Sequence, residues 1–249
     1  MKLLFRGSGS LIESAMLGSQ TAGVGHVVSG TSVVSKVRKD GYLAFKRLLD
    51  VVLAGAMLVL FLPLMALIAG WIWLRGGVPV LYAHARVGKG GRVFPCLKFR
   101  TMVEDADAVL AALLARDPLA RRQWELHRKL DADPRIIPEI GPLLRKTSLD
   151  ELPQLWNVLR GDMSLVGPRP VPRDELDAHY DEGEARTAYL KVKPGLTGLW
   201  QVSGRSDTTY RQRVEMDTDY VRRASIALDL QLLLQTANGF VSGRLAGGR

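Results

Sequence analysis

The chain has 249 residues, with 34 Lys and Arg against 25 Asp and Glu, for a formal net charge of +9. Apolar residues at 47% and charged residues at 24% exclude wholesale disorder. A single cysteine, Cys96, excludes a disulfide framework and a cysteine-based structural zinc site. The length suits one domain, or a domain plus an anchor, with room for a sizeable core. Excess positive charge points to an anionic partner, whether nucleic acid, a membrane surface or a phosphorylated substrate, without choosing among them.

From residue 1 to about 40 the chain is rich in Gly, Ser, Thr and Val and has no sustained period, so it reads as a flexible tail with a short strand allowed around Val33-Val34. The apolar run after Lys2 stops within three residues, too short for the core of a signal peptide, so secretion is not expected. No internal repeat is present. Val51 to Leu74 carries no charge. As a straight helix it would be about 36 Å long, enough to cross a hydrocarbon core of roughly 30 Å. By length alone a spanning anchor is favoured. Pro63 divides the stretch into halves of about 17–18 Å, each suited to reaching mid-depth and turning back. Basic residues flank both ends: Lys36, Arg38, Lys39, Lys46 and Arg47 before, Arg75, Arg86, Lys89 and Arg92 after. A spanning helix concentrates them on one side. We therefore expect a re-entrant helix–break–helix at Pro63.

Beyond Leu74 short segments are punctuated by Gly and Pro. Residues 80–82 and 93–97 read as strands joined by the turn Gly88-Lys89-Gly90-Gly91, which lacks phosphate-loop spacing. Lys98-Phe99-Arg100-Thr101-Met102 alternates charged and apolar residues. Helices are expected at about 104–114 and 118–130. In Arg145-Lys146-Thr147-Ser148-Leu149-Asp150-Glu151-Leu152-Pro153-Gln154, extended by Leu155, Trp156 and Leu159, the apolar residues recur at helical spacing. Ser148-x-x-Glu151 matches a capping box, and two acids suit a helix N-terminus. Taken alone, the pair Asp150-Glu151 is best explained as capping.

The surroundings shift that balance. Arg145 and Lys146 precede the acids, and Gly161-Asp162-Met163-Ser164-Leu165-Val166-Gly167-Pro168-Arg169-Pro170 follows. Arg169 between two prolines is rigidly placed, which suits bidentate binding of phosphate oxygens, although a surface ion-pair network would use the same arginines. A carboxylate beside such cations can attack phosphorus, usually with metal assistance, to give an acyl-phosphate. Pro194-Gly195-Leu196-Thr197-Gly198 reads as a rigid turn leading to Leu199-Trp200-Gln201, and helix resumes from Tyr210 to Arg223. The run 226–234 is too short to span a membrane. Asp229 inside it is either satisfied by a buried partner such as Arg or functional, and the pattern alone leaves that open.

These ordered motifs, together with Val202-Ser203-Gly204-Arg205, resemble the bacterial sugar transferases, monotopic polyprenyl-phosphate phosphoglycosyl transferases, over about 45–236, and most closely their exopolysaccharide-production branch. The resemblance implies an α+β fold: a mainly helical catalytic domain with a small sheet, attached to a proline-broken re-entrant membrane helix. It implies a tail (1–40), a membrane-associated helix–break–helix (41–75) and a cytoplasmic transferase domain (76–249) at the bacterial inner membrane. Asp150 would attack the β-phosphorus of a UDP-hexose such as galactose or glucose, releasing UMP. Undecaprenyl phosphate would then take the hexose-1-phosphate from the aspartyl intermediate. Glu151 would complete the dyad, with Asp150 and Glu151 holding Mg²⁺. Arg145, Arg169, Lys98 and Arg100 would bind phosphate, Pro168-Arg169-Pro170 the nucleotide, and Asp217 and Asp229 match further site positions. The resemblance leaves homo-oligomers open. Where relatives often have Ser before the hairpin proline, this chain has Leu62, which cannot bond the backbone groups that Pro63 frees.

A membrane-anchored, non-catalytic binding protein is the alternative, and the intact Asp150, Glu151 and arginines argue against it. A conventional glycosyltransferase would release UDP instead of UMP. Nucleic-acid binding is not expected, because basic residues are spread among acids and no recognition motif appears.

Overall fold

The computed structural model describes residues 30–76, 79–127, 130, 133–180, 183–204 and 208–243; of 30–40, 76, 126 and 127 it gives the backbone alone. The chain divides into two units, 1–38 and 39–249. Of the expected tail 1–40, residues 1–29 lie outside the described residues. Residues 30–38 are helical, so the strand allowed around Val33-Val34 does not form. Extending an existing helix costs less than starting a new element.

Helix α1 spans Gly30–Gly76 and is continuous through Pro63, so the expected break is not an interruption of the helical backbone. Pro63 forfeits one hydrogen bond, to the Val59 carbonyl, while packing holds the turns on either side. On one side Ala54 is fully buried with Phe94, Leu155 and Val158. On the other Ile68 and Ile72 pack with Phe99, Ile140 and Leu144. Within Gly41–Arg75 the most apolar window has a mean hydropathy of 2.8, and 11% of that window is buried. Val59, Leu60, Leu67 and Leu74 are each more than 70% exposed. By length and composition this helix suits lipid, and the protein is membrane-associated through it.

Strands β1 (Leu81–Val87) and β2 (Val93–Phe99) form an antiparallel hairpin, longer at both strands than the sequence pattern suggests. Its turn contains Gly90 and Gly91 at φ +69° and +81°, conformations that glycine adopts without strain. Helices α2 (Ala106–Arg116), α3 (Pro118–His127) and α4 (Ile140–Thr147) follow. A 3₁₀ turn, Leu149–Glu151, then leads to α5 (Gln154–Arg160). Strand β3 (Ser164–Val166) pairs in parallel with β4 (Gly195–Thr197), and α6 (Arg173–His179) and α7 (Glu184–Lys191) lie between them in sequence. Helices α8 (Leu199–Ser203), α9 (Tyr210–Arg223) and α10 (Ile226–Val241) complete a mainly helical α+β fold with two small sheets.

The β3–β4 crossing depends on glycine. A Cβ on Gly195 would lie 2.1 Å from the Gly167 nitrogen, and one on Gly198 would lie 2.1 Å from the Gly167 oxygen. Only bare backbones fit that close. The closeness lets Gly195 N–H donate to the Pro168 carbonyl at 2.8 Å, which fixes the loop carrying Arg169.

Four polar residues near the start of α1 bind this framework. Asp50, 4% exposed, accepts from Ser164 Oγ at 3.0 Å and Leu165 N at 2.8 Å. Arg47 donates to the Val158 and Leu159 carbonyls at the end of α5. The Val158 carbonyl also accepts from Gly161 N–H at 3.0 Å, and a cation at the C-terminal carbonyls of a helix is favoured by its dipole. Lys46 and Tyr42 both reach Asp229.

Candidate active site

Asp150 and Glu151 lie in the 3₁₀ turn between α4 and α5, and the expected capping box is absent. Ser148 takes a left-handed conformation, φ +57°, and its side chain caps nothing. The Glu151 carboxylate instead turns to two cations from distant elements. Its Oε1 accepts from Lys98 Nζ at 2.7 Å and from Arg169 Nη2 at 3.2 Å. Lys98 Nζ also stands 3.6 Å from Asp150 Oδ2. Charge-assisted bonds outcompete a capping bond to backbone.

The two acids are electrostatically distinct. Burial would raise the Glu151 carboxyl, but Arg169 and Lys98 outweigh it and hold it down at about 2. Burial raises Asp150, the Glu151 charge adds to that, and Lys98 and Arg169 pull against it. Glu151 in turn raises Arg169 above its ordinary value. Glu151 is thus a fixed anion, neutralised by two cations, beside a more basic carboxylate. Two neighbouring acids driven apart in this way are the usual sign of different chemical roles.

Lys98, Glu151 and Arg169 line one small cleft together with Arg86, Cys96 and Gln154. The cleft wall continues through Pro170, Gly195 and Leu196. Arg169 lies with its guanidinium carbon 5.8 Å from the ring centre of Trp200, which Arg213 approaches more closely, at 4.6 Å. Pro168 is buried beside the cleft, where its carbonyl meets Gly195 N–H.

The other residues singled out from sequence fall elsewhere. Arg145 is exposed in the last turn of α4 without a hydrogen bond or ion pair among the described residues, although its charge reaches Asp150. Arg100 is not brought to the cleft. Strand β2 ends at Phe99, and Arg100 turns away to donate to the Pro79 carbonyl at 2.8 Å and lie over Tyr82. Asp217 is buried on α9 and accepts from Tyr180 OH at 2.6 Å. Burial pushes it up to about 6, against the Tyr180 bond and the Arg213 charge. Asp229 is satisfied by Lys46 at 2.8 Å and by Tyr42 and Tyr220, so among the described residues its partners are a lysine and two tyrosines rather than an arginine.

The sequence reading missed Arg86 and Gln154 in the cleft wall. Arg86 was readable: extending the predicted hairpin outward from Gly88–Gly91 places it on the same sheet face as Cys96 and Lys98.

Among the described residues no three His, Cys, Asp or Glu side chains converge as a metal-ligand set. The Asp150–Glu151 pair remains. Both cation bonds to Glu151 fall on Oε1, which leaves Oε2 and the Asp150 carboxylate as oxygen donors. Mg²⁺ is often held by one or two carboxylates, with substrate phosphates and water completing the shell, and this pair fits that pattern.

The bacterial sugar transferase family profile matches residues 41–243. The undecaprenyl-phosphate galactose phosphotransferase of Salmonella typhimurium is 46% identical over 215 residues, covering 85% of this chain and 44% of its own length. The exopolysaccharide production protein ExoY of Rhizobium meliloti is 49% identical over 200 residues, covering 80% of this chain and 86% of its own. The UDP-glucose:undecaprenyl-phosphate glucose-1-phosphate transferase of Caulobacter vibrioides is 42% identical over 202 residues, 77% of this chain and 67% of its own. The chain therefore spans less than half of the Salmonella relative and most of the Rhizobium one. With a profile running from the start of the apolar helix to the end of α10, and relatives nearly half identical over most of its length, the chain belongs to the bacterial sugar transferase family.

Proposed function

We propose that the protein transfers a hexose-1-phosphate from a UDP-hexose to undecaprenyl phosphate, releasing UMP and starting an exopolysaccharide repeat unit. The observation that carries this reading is Asp150, a buried carboxylate 3.6 Å from the Lys98 ammonium, beside a Glu151 that two cations have already neutralised. A diphosphate repels an attacking anion unless cations offset its charge, and Lys98 and Arg169 supply them. In the first step an Asp150 oxygen bonds to the β-phosphorus while the bond to the bridging oxygen breaks, and that oxygen leaves with UMP. In the second, a phosphate oxygen of the lipid bonds to the same phosphorus and the Asp150 carboxylate is released. Glu151 keeps Lys98 and Arg169 in place through both steps. Mg²⁺, held by Asp150 and Glu151, would neutralise the substrate phosphates. The names of the Salmonella and Caulobacter relatives support galactose or glucose as the sugar and undecaprenyl phosphate as the acceptor.

The apolar helix would hold the cleft at headgroup height, where a lipid phosphate arrives by lateral diffusion. Basic residues on both flanks support a re-entrant segment at the inner membrane, with residues 76–249 in the cytoplasm. Single cysteines at Lys39 and Arg92 would then be labelled from the same side. Labelling from opposite sides would show a spanning helix.

Purified protein given undecaprenyl phosphate, Mg²⁺ and a panel of UDP-sugars should release UMP with one of them. Asp150→Asn should abolish this release while leaving membrane association intact. Release of UDP would instead mean ordinary glycosyl transfer.

A further inference from the structure

We propose that Arg86 binds the phosphate that leaves with the nucleotide, which makes it the residue that reads the donor as a nucleoside diphosphate-sugar. The proposal rests on the phosphoglycosyl-transfer reading and assigns a further part of the same cleft. Arg86 pairs with Phe94 in the hairpin, so it shares a sheet face with Cys96 and Lys98, and all three line the cleft. Lys98 is about four strand positions, ~13 Å along the backbone, further on that face. Arg86 and Lys98 therefore serve different ends of an extended ligand. A chain of contacts links them: Lys98 to Glu151, Glu151 to Arg169, and Arg86 Nη1 to the Pro170 carbonyl at 3.2 Å. Asp150 lies at the Lys98 end, where the attacked phosphorus belongs. The Arg86 end is left for the departing phosphate.

Arg86 is held in place and is only weakly neutralised. Its nearest carboxylate, Glu175, is 3.9 Å away and is already engaged through Oε1 by Arg213 at 2.9 Å and by Tyr210. Among the described residues only Nη1 of the guanidinium is engaged, so Nε and Nη2 have donors to spare. The side chain is 20% exposed, and both burial and the charge of Arg169 act against its cation. Arg86, Lys98 and Arg169 thus share one cleft with Glu151 as the carboxylate in its wall. Two neighbouring guanidiniums with so little counter-charge call for an anionic ligand, and a guanidinium fork matches two phosphate oxygens. Negative charge grows on the leaving phosphate as the P–O bond breaks, so a cation fixed there aids the first step most.

The test compares UMP with uridine as competitors of the wild-type enzyme and of Arg86→Gln, in detergent with undecaprenyl phosphate. The wild type should bind UMP more tightly than uridine. Arg86→Gln should shrink that ratio roughly 10- to 100-fold, leave uridine binding unchanged and raise KM for the UDP-sugar but not for the lipid. If Arg86→Gln fails to fold, Arg86→Lys, which keeps the charge but loses the fork, should still shrink the ratio several-fold. A folded variant with an unchanged ratio would overturn the assignment of Arg86 and leave the phosphoglycosyl-transfer reading standing. A wild type that releases no UMP with any UDP-sugar would overturn both.

Discussion

Replacing Glu151 by Gln keeps the shape of the side chain and removes its charge, leaving Lys98 and Arg169 facing an amide. Glu151 is held at about 2 in the fold against an ordinary 4.5. Because the folded value is depressed, the stabilisation is fully present above pH 4.5 and is lost as pH falls through 2. At pH 7 it amounts to about 3 kcal/mol, from a shift of ~2.5 at 1.36 kcal/mol each. For a domain of this size that corresponds to a Tm lower by roughly 6–12 °C in the variant. By pH 3 only about 1.4 kcal/mol remains. The wild type should therefore lose about 2 kcal/mol of its advantage over Glu151→Gln between pH 7 and pH 3. Asp217 titrates in both proteins and largely cancels from the difference, and Asp150, which the Glu151 charge raises, is held as Asp150→Asn in both so that it does not contribute. Urea unfolding of the two detergent-solubilised proteins across that range measures it. Parallel pH profiles would show that the two cations do not stabilise the Glu151 carboxylate, and the electrostatic account of the site would fail.

Asp217 should behave in the opposite sense. Its folded value of about 6 lies above the ordinary 3.8, so stability is greatest below pH 3.8 and falls by about 3 kcal/mol as pH rises through 6. Asp217→Asn should abolish that slope in the same unfolding assay, because an amide oxygen can still accept from Tyr180. Asp50→Ala should cost about 2–4 kcal/mol by urea unfolding, since it leaves Ser164 Oγ and the Leu165 amide without an acceptor in the core. Gly195→Ala should lower stability by about 3 kcal/mol or more, because the added methyl collides with the Gly167 backbone. Gly55→Ala, with open space around it, should be neutral or stabilising by up to ~1 kcal/mol in the same thermal melts.

The parts of the site legible in the sequence were those encoded within short segments. Asp150 and Glu151 adjoin basic residues, and two prolines constrain Arg169, so local spacing announced both. The capping box that Ser148-x-x-Glu151 suggested does not form, because the partners of Glu151 are 53 and 18 residues away and no local pattern encodes Lys98 or Arg169 turning towards it. Arg100, which the family resemblance suggested as a phosphate ligand, bonds a carbonyl, because the strand stops one residue short and frees its side chain. The partner of Asp229 was unreadable because Lys46 lies 183 residues away. Pro63 does not interrupt the helical backbone. Proline removes one hydrogen bond, and packing of Ala54 on one side and of Ile68 and Ile72 on the other keeps the helix continuous.

The central claim is that Asp150 takes the sugar phosphate covalently. Its most direct test is peptide mass mapping of the purified protein after exposure to the UDP-sugar without lipid acceptor. A hexose-phosphate adduct on Asp150 that appears with UMP release and disappears when undecaprenyl phosphate is added would bear the account out. UMP release with no adduct on Asp150, or with the adduct on another residue, would contradict it.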